Sequence, residues 1–149
     1  MVFAVLVGAQ YIQSRLTISD LTEVTGTIKS TERVTYWAQG RSGHWVSELR
    51  VFLTDKPDYF RIMGVYDFLE FSDQIIAGES VKLYVRPGWL AVIGMGYKYD
   101  IMHLEIKDVV LLDISRTRRN SQGIIFVGIF SIIIFVLLGI FGKKIAMAR

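Results

Sequence analysis

The chain has 149 residues, with 17 basic and 14 acidic side chains, two prolines and no cysteine. A 52% apolar content with only 21% charged residues excludes a disordered chain, and the length allows one domain, or one with an appendage. The lack of cysteine excludes a disulfide scaffold, an iron–sulfur cluster, a thiolate zinc site and a cysteine nucleophile.

In chain order, Met1–Ala9 (MVFAVLVGA) is apolar and uncharged. As a helix it reaches only about 13 Å, and it lacks the basic start and long apolar stretch of a signal peptide. Residues 1–16 read first as the end of a transmembrane helix that begins upstream. The other readings are a short interfacial helix, favoured by the polar Gln10, Gln13, Ser14 and Arg15, or a segment packed on the soluble part.

Residues 17–114 are different material, rich in strand signals. Val24, Gly26 and Ile28 alternate with Thr25, Thr27 and Lys29, and Gln39–Gly43 (QGRSG) is a flexible turn. Trp45, Ser47, Leu49, Val51 and Leu53 then fall on one face, with Val46, Glu48, Arg50, Phe52 and Thr54 on the other. This period of two predicts a half-buried strand, paired with the preceding run as a hairpin. Asp55–Asp58 predicts a turn, Tyr59–Tyr66 a strand, and Asp67–Glu79 a short helix or tucked loop. Val81, Leu83 and Val85 alternate with Lys82, Tyr84 and Arg86 in another strand, which Pro87-Gly88 ends. Trp89–Tyr99 reads as a loop or irregular strand. His103–Ile106 and Val109–Leu112 read as strands, the second with a helical lead-in to the following segment as its alternative. Together these predict a mainly β fold: a small antiparallel barrel or sandwich, OB- or SH3-like, whose core holds Trp37, Trp45, Tyr84 and Trp89.

Within residues 115–149, Gly123–Gly142 (GIIFVGIFSIIIFVLLGIFG) contains 20 residues with Ser131 as the one polar side chain. Its helical length of about 30 Å matches the hydrocarbon core of a bilayer, so it is expected to be a transmembrane helix. Arg116, Arg118 and Arg119 precede it and Lys143, Lys144 and Arg149 follow. Three bases on each side leave the positive-inside rule tied and the side of the membrane occupied by the β-domain open.

These flanking bases also explain the basic sequence pI of about 9.2. Residues 10–115 carry eleven basic and all fourteen acidic side chains, a net charge of −3. A β-domain of that charge lacks the footprint of a phosphate binder, so nucleic acid is not an expected partner. The six remaining bases suit anionic lipid headgroups.

Signals of catalysis or metal binding are weak. Asp67, Glu70 and Asp73 share one face of a helix, but a solvated turn accounts for them. His44 and His103 are the only histidines, and nothing in their spacing joins them with a carboxylate into a metal site. Ser42 near His44 lacks the strand–turn–helix setting of a nucleophile elbow, and Gly94 and Gly96 are a fragment of a dinucleotide fingerprint without a βαβ unit. No catalytic residue, cofactor or metal is assigned. On the apolar segment, Gly128, Ser131, Phe135, Gly139 and Gly142 recur at steps of three and four residues, and four of the five are small. Such a stripe lets helices approach closely in lipid. It is expected to pack on a helix completed by Met1–Ala9, on a second copy, or on another membrane protein.

Three elements, VTGTI (Val24–Ile28), the apolar strand Trp45–Leu53 and AGESVKLYVRPG (Ala77–Gly88), precede the C-terminal segment. Together they resemble a broad, uncharacterised bacterial family of small membrane-anchored β-barrel proteins, which set such strands between two transmembrane helices. Gly78, Val81, Leu83, Val85 and Pro87 approximate the family's second strand pattern, with tyrosine displaced to Tyr84. The resemblance implies this architecture and a place in the bacterial inner membrane, and no activity. The expected function is a membrane-anchored, non-catalytic interaction or assembly subunit. The alternatives are a membrane-surface enzyme acting on lipid-linked or peptide substrates, and an OB-type nucleic-acid binder.

Overall fold

The structure, a computed structural model, describes residues 2–39, 43–63, 72–92 and 96–147, without the side chains of residues 2–7, 72, 135 and 140–147. Helix α1 (Val2–Arg15) comes first, followed by a 3₁₀ turn at Ile18–Asp20. Strands β1 (Thr22–Ala38), β2 (His44–Leu53), β3 (Tyr59–Met63) and β4 (Ser80–Val85) lead to a short helix, α2 (Gly88–Val92). Strands β5 (Ile101–Ile106) and β6 (Val109–Leu112) precede the long α3 (Ile114–Met147). The chain divides into two compact units, one of Thr17–Ile114 and one of Met1–Leu16 with Ser115–Arg149.

The first of these units is a six-stranded antiparallel sheet of order β3-β2-β1-β4-β5-β6. The alternation in β2 places Leu49, Val51 and Leu53 inside, where they meet Ile28, Phe60, Ile62, Val81, Leu83, Val85, Leu104 and Ile106. Strand β1 serves both halves of the sheet. Thr22–Thr27 pair with β4, whereas Ile28 and Ser30–Ala38 pair with β2. The register shifts between Ile28 and Ser30, a bulge that bends the strand and curls the sheet. Gly26 lies just before the bend because a Cβ there would stand 2.9 Å from Leu53 Cδ1.

The expected barrel is corrected to a sheet that curls without closing. The ends approach where Arg61 of β3 meets Asp100, just before β5, in one isolated parallel bridge, and the Arg61 N–H donates to the Tyr99 carbonyl at 3.0 Å. A second correction concerns the aromatic core. Trp37, Trp45 and Trp89 are 50%, 66% and 54% exposed, because aliphatic side chains from six strands already fill the interior. One local reading changes as well: Gly88–Val92 is a helical turn rather than loop or strand. Val109–Leu112 is the strand first read there, not the helical lead-in kept as its alternative.

In the other unit, α1 and α3 run antiparallel. Gln13 lies against Ser121 (3.4 Å between Oε1 and Oγ), and Leu16 lies against Arg118. Helix α3 is long and apolar enough to cross a membrane.

Candidate functional site: a helix face and a buried ion network

The face singled out on α3 is occupied along part of its length. Ser121 and Gly128, seven residues apart and so on one side of the helix, are buried, and Ile125 and Ser131 are half-buried. The Ser131 hydroxyl donates to the Val127 carbonyl at 2.8 Å, a back-bond within the helix rather than a link to another. Gly139 is exposed, with nothing within 4 Å of a Cβ built on it. The side-chain surroundings of Phe135 and Gly142 lie outside the described residues, as do the side chains of Lys143 and Lys144. Of the three preceding bases, Arg118 does local work: its Nε donates to the Leu16 carbonyl at 2.6 Å. It thereby satisfies an acceptor at the end of α1 and sets a positive charge at the negative end of that helix. Arg116 is half-buried and Arg119 exposed.

A polar feature that the sequence reading did not single out lies on the β-unit. Glu48 is 1% exposed although it sits on the face of β2 opposite the core residues. It accepts from Arg50 Nε at 2.7 Å and from Arg61 Nη1 at 3.4 Å. Arg61 continues the network, because its Nε donates to Asp100 Oδ1 at 2.6 Å. The other oxygen of Asp100 accepts the Tyr97 N–H at 2.9 Å and lies 3.4 Å from Arg86 Nε. Three arginines thus share two buried carboxylates, which fasten β2, β3 and the turn before β5. Gly96 closes over the pair with φ +101°, and a Cβ there would stand 2.8 Å from Asp100 Oδ2 and 2.9 Å from Arg86. Tyrosines cover the guanidinium groups, with Arg50 4.6 Å from the Tyr59 ring centre and Arg61 4.7 Å from that of Tyr97.

Charges in this network are tuned in opposite directions. Burial pushes the Arg86 guanidinium below its ordinary value, against the pull of Asp100. Burial acts the same way on Arg61, but the hydrogen bond and charge of Asp100, with the charge of Glu48, outweigh it and raise the net value. The hydrogen bond to Glu48 raises Arg50. Every acidic group here is bonded to a cation, so the arrangement stiffens the fold and offers no free base. A sequence pattern for it existed only in part: Glu48 and Arg50 alternate in β2, but Arg61, Arg86 and Asp100 come from separate segments.

The remaining candidates do not converge. His44 is exposed on β2, and His103 is buried on β5, bonded through Nε2 to Glu105 at 2.9 Å and set edge-on to Tyr84. Asp73 is exposed, whereas Asp67, Glu70, Ser42 and Gly94 lie outside the described residues. Among the described residues no group of three potential metal ligands comes together. Comparison with family models, with curated proteins and with solved structures gave no match.

Proposed function

We propose that this chain is a membrane-anchored, non-catalytic interaction or assembly subunit, with α3 in the bilayer and the β-unit presented beside it. One observation carries the reading: only 6% of the most apolar window of α3 is buried. Phe126, Val127, Phe130, Ile133 and Leu138 are all at least half exposed. Each such side chain left in water forgoes about 1.5–3 kcal/mol of burial free energy, and lipid or a partner helix removes that penalty. The small-residue face, with Gly139 bare, supplies a place for a further helix from a second copy or another membrane protein.

The resemblance to small membrane-anchored β-barrel proteins fits this reading. So does an OB-like assignment of the sheet, itself a partly open barrel type. Its support is the long bent β1 shared by two half-sheets and the near approach of β3 to the start of β5. The exposed Trp37 and Trp45, edge-to-face at 5.4 Å across the β1–β2 hairpin, give the β-unit an apolar surface for a partner.

Purification of the full chain from membranes in mild detergent, with identification of co-purifying proteins and measurement of mass, tests the proposal. A stable complex or self-assembly is expected. A lone, monodisperse monomer, or a chain washed off membranes by alkaline carbonate, would overturn it.

A further inference from the structure

We propose that α2 is a second, shallow membrane contact, with Trp89 and Val92 seated among lipid headgroups beside the bilayer span. This rests on the anchoring reading above. Both chain connections of the β-unit leave from one end of the sheet. Thr22, where the chain enters, pairs with Val85 at the end of β4. Leu112, where it leaves for α3, stands opposite Leu104, which stands opposite Leu83. Strand β4 runs two residues beyond that level, about 7 Å further toward the same end, and α2 follows after Arg86-Pro87. The chain therefore leaves the sheet toward α3 at the same end of the sheet that α2 follows.

At that end α2 turns apolar side chains outward. Leu90 is fully buried, and its N–H donates to the Pro87 carbonyl at 3.0 Å, which pins the turn. Trp89 and Val92, three residues apart, share the opposite side and are 54% and 87% exposed. A tryptophan with an apolar ring and one N–H donor is suited to the boundary between acyl chains and headgroups. The exposed acidic residues at this end, Asp20, Glu23 and Asp113, make charge attraction an unsuitable cause. The contact is apolar, and added salt is expected to leave it intact.

The test uses the full chain carrying Trp37→Phe and Trp45→Phe, reconstituted into phosphatidylcholine vesicles, so that Trp89 is the one fluorophore of its type. A spin label near the top of the acyl chains is expected to remove roughly half its emission, with little quenching by aqueous iodide. In the otherwise unaltered chain, Trp89→Phe is expected to abolish most of the lipid quenching, which reports the same site without touching the hairpin. Iodide quenching of Trp89 in a chain that floats with the vesicles would overturn the inference and leave the anchor standing. A chain that fails to float would overturn both. Shielding from iodide without lipid quenching would assign Trp89 to a protein partner and overturn the lipid contact.

Discussion

Asp100 holds together parts of the chain that are far apart in sequence: it bonds Arg61, lies beside Arg86, and accepts the Tyr97 N–H. Removing one partner from a buried ionic cluster strands the others in a poorly hydrated place, which costs about 3–5 kcal/mol. Asp100→Asn keeps the shape and removes the charge. It is expected to lower the stability of the sheet by that order, read from the denaturant midpoint followed by circular dichroism in detergent. A change indistinguishable from zero would show that the cluster contributes nothing to folding. Tyrosines nearby set an alkaline limit. Burial, then the charges of Tyr59 and Asp58, hold the Tyr97 phenol above its ordinary value of 10.0. A group whose folded value is raised contributes stability that is complete below the unfolded value and is lost as pH climbs through the folded one. The same midpoint is therefore expected to hold below the ordinary value of 10.0 and to fall as pH rises above it, and to fall less in Tyr97→Phe.

Helix α3 illustrates what a single element can express. Its small-residue face divides into a buried part, at Ser121 and Gly128, and a part left bare at Gly139. In lipid, close approach of backbones rather than apolar area drives helix pairing. Gly139→Leu is expected to weaken association in a detergent pull-down by several-fold, whereas Ile133→Leu, off that face, is expected to leave it unchanged. Equal behaviour of the two variants would remove the face from the assembly. The β5–β6 hairpin shows the opposite limit of legibility. It turns through Lys107 and Asp108, both with positive φ, where glycine or asparagine usually signals the turn. Contacts made elsewhere in the fold support it, Lys107 to Glu79 at 2.6 Å and Asp108 to Lys82 at 3.7 Å. A local reading of two charged residues does not reveal such supports.

For the whole molecule, the apolar excess and the basic charge belong to one part of the chain, and the β-unit is mildly acidic. The anchoring reading makes a direct demand on the apolar helix. A charge at the centre of a span costs about 2.5–3.5 kcal/mol. Ile133→Arg is therefore expected to raise the fraction of chain released by alkaline carbonate, measured by immunoblot of pellet and supernatant, while Arg119→Ala leaves it unchanged. Release of neither would point to a contact other than α3 as the anchor.

Hydrophobic periodicity and the length of an apolar run are local quantities, and both were legible in the chain alone. The period of two announced β2 and β4, and the unbroken run from Gly123 announced a helix fit for a bilayer. Local pattern does not encode which strands meet at the seam of a curled sheet. The opening between β3 and β5 depends on the bend of β1 and on how arginines and carboxylates from separate segments meet there. Nor does it encode exposure of the tryptophans, because an aromatic residue in a strand is inside or outside according to what else fills the core. Here Leu, Ile and Val fill it first. Tertiary structure alone decided that Trp37, Trp45 and Trp89 face outward and that Glu48, a charged residue on an outer face, is buried.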